Sequence, residues 1–215
     1  MHVDEWGARW RDGKIGFHQS KVSSALEEYA DEVFGSDPGR VLVPLCGKTL
    51  DMVFLAERAN TVVGIEYVEQ AVQEFFAEHK LTASIDHGPP IRYAAQNLLL
   101  FVSDIFEIDS EHVGTIDAVF DRAALVALVP EVRIQYAAHL STILPVGAKM
   151  LLVTFDYDQS KMQGPPFAVS NTEVADLFSG DFEIEHLRTR DVLDDRFREQ
   201  GLISMTESTL VLTKT

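Results

Sequence analysis

Short apolar runs alternate with polar and helix-like segments along most of the chain. The first run, 41–43, closes on Pro44-Leu45 and is followed by a turn, a helix-like segment at about 50–58 and a second β-branched run at 61–65. Apolar runs of this length bounded by turn residues indicate buried strands, and the segment between them is long enough for a crossover helix. The stretch therefore predicts a β-α-β unit, the building block of sheets that hold nucleotide-like ligands at their strand ends.

The second strand ends on a carboxylate, Glu66, which follows Gly47 at about the 20-residue spacing of acids that accept hydrogen bonds from ribose hydroxyls. The turn has no G-x-G-x-x-G pattern. It ends in Gly47-Lys48-Thr49, like a phosphate-binding loop, but Leu42 stands where that loop requires a glycine. Because no glycine-rich cradle supports a pyrophosphate, we expect a ribose-bearing ligand without phosphates, namely S-adenosylmethionine.

The remaining pattern extends this architecture to the end of the chain. A helix is predicted over 68–80, whereas 81–96 lacks periodicity and is expected to be a loop. Further strands are predicted at 98–102, 116–120, 150–155, 182–192 and 204–213, and helices at 123–128, 130–144 and 172–178. This order predicts an α/β, Rossmann-like methyltransferase fold: a mostly parallel seven-stranded sheet with helices on both faces and an antiparallel last strand.

Composition and charge restrict the class of partner. The 215 residues are 46% hydrophobic and carry a formal net charge of −16, which disfavours nucleic acid and anionic membrane surfaces and leaves a small molecule. The single cysteine, Cys46, excludes an internal disulfide framework, and no signal peptide or apolar span is visible. We expect one cytoplasmic domain over 1–215, monomeric, with no metal site, since the histidines are scattered.

The amino-terminal segment 1–36 contains both tryptophans of the protein, Trp6 and Trp10, four residues apart and hence on one helix face. Phe17 follows a turn. Two interpretations remain open for these aromatic residues. They form either a hydrophobic staple on the core or a lid whose ring faces suit a sulfonium cation.

Polar residues also lie at two later strand ends, where open parallel sheets bind ligands. Asp104 and the backbone of Ile105 follow the strand at 98–102 and are candidates for contacting adenine, although Asp104 is equally suited to forming a turn. Arg122 follows the strand at 116–120 and could orient a carboxylate or an anionic nucleophile; a structural contact between Asp121 and Arg122 is the alternative.

Several segments together resemble the thiopurine S-methyltransferase family, in its bacterial form. The segments that carry the resemblance are Trp6-x-x-x-Trp10 with Gly-Lys-Ile-Gly-Phe-His-Gln at 13–19, Pro-Leu-Cys-Gly-Lys at 44–48, Val-Gly-Ile-Glu at 63–66, Asp-Arg-Ala-Ala-Leu-Val-Ala at 121–127 and Gly-Pro-Pro-Phe at 164–167. They occur in the family's order over nearly the whole chain. The resemblance implies methyl transfer from S-adenosylmethionine to the sulfur of aromatic or heterocyclic thiols, and a link to selenium and tellurium compounds.

The resemblance also implies roles for individual residues. The cofactor contacts would be Trp10, Leu45, Glu66, the backbone of Asp104 and Ile105, and Arg122. Phe17 would lie between cofactor and substrate, and Arg196 would face the substrate pocket. Beyond the resemblance, we hypothesise that Arg122 is catalytic and, with Arg196, holds the electron-rich substrate, while Trp6, Trp10 and Phe17 close over both ligands.

Two other classes of function remain possible from the residues alone. A non-catalytic module that binds S-adenosylmethionine or a nucleotide would keep Glu66 but methylate nothing. An NAD-dependent oxidoreductase would use the same β-α-β unit, although the missing glycines leave the pyrophosphate unsupported.

Overall fold

A computed structural model describes residues 3–13, 15–16 and 18–215. The chain forms two compact units, which divide between Phe120 and Asp121. In the described part of the chain, no helix is long and apolar enough to cross a membrane.

The secondary structure alternates between strands and helices. The strands are β1 (Arg40–Pro44), β2 (Thr61–Glu66), β3 (Ser84–Asp86), β4 (Ile91–Ala95), β5 (Leu98–Val102), β6 (Ala118–Asp121), β7 (Lys149–Tyr157), β8 (Phe182–Asp191) and β9 (Met205–Lys214). The helices are α1 (Val3–Arg11), α2 (Ser24–Phe34), α3 (Asp51–Ala56), α4 (Glu69–Glu78), α5 (Ser110–Val113), α6 (Pro130–Ile143), α7 (Asn171–Phe178) and α8 (Asp195–Glu199). Single 3-10 turns occur at Ile105–Glu107 and Leu125–Ala127.

The first unit is built on parallel pairing around β1. Its strands lie in the order β3-β4-β5-β2-β1-β6, and β1 is parallel to β2 and β6 while β2 is parallel to β5. Pro44 is the register partner of Ile65, and Glu66 is the partner of Val102. The carboxyl ends of β1, β2 and β5 therefore meet at one edge, as the sequence predicts for a ligand-binding sheet.

The described residues contain nine strands rather than seven. The segment expected to be a loop contains β3 and β4, which pair antiparallel, and β4 pairs antiparallel with β5. β3 has only three residues, all exposed, and the intervening His87-Gly88-Pro89-Pro90 run interrupts any periodicity. β4 has only five residues, which are too few for an alternating pattern to predict a strand by itself.

The second unit is antiparallel. β9 lies between β7 and β8 and pairs antiparallel with both, so the strand order is β7-β9-β8. The antiparallel last strand expected from the sequence is therefore present. No helix was predicted between the strands expected at 182–192 and 204–213, but this segment contains α8, whose capping residue Asp194 accepts from the Phe197 N–H at 3.0 Å. A helix of five residues is shorter than the window in which periodicity is visible.

Close packing between β2 and its neighbours requires a glycine at position 64. A Cβ added to Gly64 would lie 2.8 Å from Cys46 Sγ, 3.0 Å from Leu100 Cγ and 3.1 Å from Met52 Sδ. These side chains are buried. The glycine thus lets the turn after β1 and helix α3 approach β2 directly.

We expect Gly64→Ala to lower the free energy of unfolding by about 1–3 kcal/mol, because the added methyl group overpacks this contact. Urea unfolding measures the change. The matched control is Gly180→Ala, since nothing lies within 4 Å of the Cβ that it adds. Equal stabilities for the two variants would show that the Gly64 contact adapts without cost.

Candidate cofactor and substrate sites

The turn after β1 forms a tight bend at the edge where the parallel strands end. Leu45 has a φ of 48° and Gly47 a φ of 52°, and the left-handed region is uncommon for a branched residue such as leucine. The Cys46 N–H donates to the carbonyl oxygen of Ile65 at 3.0 Å, which ties the bend to the end of β2. Two residues with positive φ therefore hold the backbone of this turn beside Glu66.

Glu66 is a buried carboxylate at this edge, with 8% of its surface exposed. Its Oε2 accepts from the Gly47 N–H at 2.8 Å, and its Oε1 accepts from the Val68 N–H at 2.7 Å. Burial raises the pKa of this carboxyl, and hydrogen bonds from backbone N–H groups oppose the rise. Each carboxylate oxygen has a second acceptor position, so Glu66 can also receive hydroxyl donors.

Cys46 lies between this carboxylate and the core. It is 5% exposed. Burial raises the pKa of its thiol well above the ordinary value, and the negative charge of Glu66 raises it further. The thiol is therefore neutral.

Trp10 packs on the same turn. It is 4% exposed, and a Cβ added at Gly47 would lie 3.4 Å from Trp10 Cζ2. The ring thus lies against the backbone of Gly47 at the predicted cofactor edge. Trp6 is half-buried on the same helix, with the Arg9 guanidinium 5.8 Å from its ring centroid. Phe17, the third predicted aromatic contact, lies outside the described residues.

Asp104 and Ile105 follow β5 at the same edge. The Ser103 N–H donates to the Glu66 carbonyl oxygen at 3.0 Å, and Asp104 Oδ1 accepts from the Phe106 N–H at 3.1 Å. Asp104 is therefore a cap of the 3-10 turn, and its role toward adenine remains a prediction. A pocket of about 640 Å³ adjoins it, lined by Tyr67, Glu69, Ser103, Asp104 and other residues.

In the second unit, Asp121 organises the backbone around Arg122. Asp121 is 1% exposed; its Oδ1 accepts from the N–H groups of Ala124 and Leu125 at 3.0 and 3.2 Å, and its Oδ2 accepts from the Tyr136 hydroxyl at 2.8 Å. Burial raises the pKa of this carboxyl to about 6, against the hydrogen bonds that favour the charged form. Asp121 thus fixes the turn on which the half-buried Arg122 lies.

The Gly-Pro-Pro-Phe segment at 164–167 is anchored at several points within the second unit. The Phe167 N–H donates to the Val126 carbonyl oxygen at 2.7 Å, and the Tyr157 hydroxyl donates to that of Pro166 at 2.6 Å. The fully buried Arg133 donates to the Leu128 carbonyl oxygen at 2.9 Å and to Glu173 at 2.5 Å. The loop and the turn that carries Arg122 are therefore held to each other.

Arg196 lies on α8 of the second unit. Its guanidinium is 4.5 Å from the centroid of the neighbouring Phe197 ring. Phe197 packs against a cluster that includes Tyr157 and Met205. Through Tyr157, the helix carrying Arg196 is joined to the loop at 164–167.

Sequence reasoning missed three residues that support these sites, Arg133, Tyr136 and Tyr157, and the two glutamate partners of Lys48. These contacts join positions that no motif links, so spacing along the sequence carries no signal for them. No group of three or more metal-ligating side chains is present among the residues that the structure describes.

Comparison with solved structures gives the class of the fold. A methyltransferase of Anabaena variabilis described as S-adenosylmethionine-dependent superimposes with a TM-score of 0.69 at 13% identity, covering 99% of this chain and 95% of that one. An N1-methyltransferase of Burkholderia thailandensis with bound S-adenosylhomocysteine gives 0.66 at 16% identity, covering 99% and 87%. The fold is that of the S-adenosylmethionine-dependent methyltransferases, and the fold class expected from the sequence is confirmed.

Sequence comparison gives the family. The family model described as thiopurine S-methyltransferase matches residues 1–215. A relative of that name from Pseudomonas aeruginosa is 42% identical over 215 residues, which are 99% of each chain, and one from Azotobacter vinelandii is 44% identical over 211 residues, 96% of each. The chain belongs to the thiopurine S-methyltransferase family. It is an enzyme, an S-adenosylmethionine-dependent thiopurine methyltransferase.

The residues at the first-unit edge fit this cofactor. A buried carboxylate with remaining acceptor positions suits the two ribose hydroxyls, and the Gly47 turn brings backbone close to that carboxylate. The Trp10 ring supplies an aromatic face beside the turn.

We expect Tyr136→Phe to destabilise the protein in a pH-dependent manner. The hydroxyl donates to Asp121, whose pKa of about 6 lies above the ordinary 3.8, so the folded state already loses stability as pH rises from about 4 to 6. Removing the donor raises that pKa further. The loss should be about 1–3 kcal/mol at about pH 8 and smaller at about pH 5, where Asp121 is protonated.

Urea unfolding at the two pH values measures this difference. Tyr93→Phe is the matched control, because it removes a 2.8 Å contact to Glu69, an acid that is only partly buried. A loss for Tyr136→Phe that is the same at both pH values would contradict the assignment of the charge to Asp121.

Proposed function

We propose that this enzyme holds S-adenosylmethionine at the edge formed by the ends of β1, β2 and β5 and methylates the sulfur of aromatic and heterocyclic thiols. The contact that carries the proposal is the buried Glu66 carboxylate on the Gly47 N–H. When bound, S-adenosylmethionine supplies an electrophilic methyl group on a sulfonium. The roles of the protein are to bind, to orient the two ligands and to exclude water.

Glu66 is the proposed acceptor for the ribose hydroxyls, and the backbone of Leu45 lines the turn beside them. The fixed carboxylate requires no reorganisation on binding, since two backbone N–H groups already hold it. Trp10 is the proposed aromatic wall of the cofactor site, and its burial on Gly47 supports this role.

Asp104 and the backbone of Ile105 are the proposed contacts of the adenine ring. Their position after β5, in register with the end of β2, supports this assignment. The capping bond from Phe106 occupies Asp104 Oδ1 and orients the side chain.

Arg122 is the proposed catalytic cation, which also contacts the cofactor, and Arg196 and the aromatic residues Trp6 and Phe17 are proposed to contact the thiol. A guanidinium favours the anionic form of a nucleophile near it. Heterocyclic thiols are acidic enough to be partly thiolate near neutral pH, so Arg122 can select the thiolate without a dedicated base. The firm anchoring of the Arg122 turn by Asp121 supports this role.

We extend the proposal to selenium and tellurium compounds, whose soft nucleophilic atoms are chemically similar to a thiolate sulfur. We also propose that the chain acts as one methyltransferase domain, with 1–36 as a lid segment, in a cytoplasmic monomer. The anionic surface, with a net charge of −16, supports a small-molecule substrate and no nucleic-acid or membrane partner.

We expect Glu66→Gln to weaken S-adenosylmethionine binding about 10- to 100-fold, because hydrogen bonds to a charged acceptor contribute roughly 1.5–3 kcal/mol. Isothermal titration measures this change, and the same preparations are assayed for methylation of 6-mercaptopurine and of a selenite-derived nucleophile. Glu57→Gln, an exposed acid of the first unit, is the control. Wild-type protein that binds no S-adenosylmethionine would overturn the proposed function; binding without methylation of either acceptor would overturn the proposed substrates.

We expect Arg122→Ala to lower kcat at least 100-fold, because it removes the cation proposed to stabilise the anionic nucleophile. The urea midpoint should stay within the range of surface variants. Steady-state kinetics with 6-mercaptopurine at several pH values is the measurement. Arg198→Ala is the control, since Arg198 is a half-exposed arginine paired with Asp195. Unchanged kinetics in Arg122→Ala would remove Arg122 from the mechanism.

A further inference from the structure

Lys48 is a buried cation in the middle of the proposed cofactor turn. Its side chain is 9% exposed, and its Nζ lies 2.8 Å from Glu74 Oε2 and 2.6 Å from Glu78 Oε1. Both glutamates belong to α4. A buried ammonium requires partners of this kind, so the side chain has one well-defined position.

The same ammonium group also faces Trp10. Its Nζ is 5.9 Å from the centroid of the Trp10 ring, within the range of cation–π attraction. Trp10 in turn lies against Gly47, the residue that precedes Lys48. One charge therefore joins three segments: the turn after β1, helix α4 and helix α1.

The contacts of Lys48 differ from those of a phosphate-binding lysine. Two carboxylates lie within hydrogen-bond distance of its ammonium, and the hydrogen bond from Lys48 is the main cause of the lowered pKa of Glu74. A phosphate placed here would meet the negative charges of Glu74 and Glu78. The lysine of the Gly-Lys-Thr tripeptide therefore forms ion pairs inside the protein.

We propose that Lys48 is a positioning residue for cofactor binding, which holds the Trp10 ring on the Gly47 turn by its charge while α4 fixes its ammonium. The proposal deepens the proposed function and rests on the assignment of this turn to S-adenosylmethionine. Without the charge, the Trp10 ring loses this cation–π contact and is held less firmly on the turn. The cofactor site is then less preorganised, and binding weakens.

A double-mutant cycle on the full-length chain tests whether Lys48 acts through Trp10. Lys48→Met should raise the dissociation constant for S-adenosylmethionine roughly five- to tenfold in the wild-type background, and less than about twofold in a Trp10→Leu background. The KM for 6-mercaptopurine at saturating cofactor should change less than about twofold, because Lys48 positions the cofactor site alone. Lys48→Arg keeps the charge and should restore most of the affinity.

The matched control is Arg58→Met. Its guanidinium lies 3.6 Å from the Phe54 ring centroid, so this variant removes a comparable cation–π pair elsewhere in the first unit. Its effect on cofactor affinity should be less than about twofold in both backgrounds.

Tryptophan fluorescence provides a second measurement that needs no cofactor. In a Trp6→Phe background the emission comes from Trp10 alone. Lys48→Met should shift that emission to longer wavelength and increase its quenching by acrylamide, whereas Arg58→Met should not.

The proposal is overturned if Lys48→Met raises the dissociation constant equally with and without Trp10, or leaves both affinity and Trp10 emission unchanged. If Lys48→Met does not fold, the Glu74→Gln, Glu78→Gln variant releases the ammonium instead, and the same dependence on Trp10 is expected. Wild-type protein that fails to bind S-adenosylmethionine would contradict the proposed function, while the fluorescence experiment would still decide whether Lys48 holds Trp10.

Discussion

The hydrogen bond from the Gly47 N–H to the Glu66 carboxylate is the contact on which the first unit's site depends. It joins the turn after β1 to the end of β2, and it stabilises the charge of Glu66, a residue that is only 8% exposed. A buried carboxylate is stable only when donors surround it, and here the backbone supplies them. The positive φ of Leu45 and Gly47, the absence of a side chain at Gly64 and the burial of Trp10 are consistent with this one requirement.

The second unit also contains a buried carboxylate that is surrounded by hydrogen-bond donors. Asp121 is as deeply buried as the core residues, yet it receives two backbone N–H groups and the Tyr136 hydroxyl. The loop at 164–167 is held by the Val126 carbonyl oxygen and by the Tyr157 hydroxyl. In both units, therefore, a buried carboxylate holds the backbone near the proposed chemistry. Such support is what precise orientation of two reactants demands.

The sequence predicted most accurately those elements that a single local pattern specifies. The apolar runs predicted β1, β2 and β5 closely. The spacing from Gly47 selected Glu66 as a candidate, and the structure places its carboxylate on the Gly47 N–H at 2.8 Å. The sequence was least informative for short elements such as β3 and α8, and for contacts between distant positions. Arg133 and Glu173 are 40 residues apart, and neither lies in a motif that links it to the other. Lys48 was visible in a tripeptide that the sequence already distinguished from a phosphate-binding loop, but nothing in the sequence indicated its two glutamate partners.

The state of Cys46 has a consequence for an enzyme that methylates sulfur. It is the chain's single cysteine, and it lies directly at the turn proposed to hold the methyl donor. Only a thiolate is a strong nucleophile, and both burial and the charge of Glu66 raise the pKa of this thiol and keep its proton in place. The acid proposed to bind the ribose thus also disfavours the thiolate of Cys46, the form in which this residue would compete with the substrate for the methyl group.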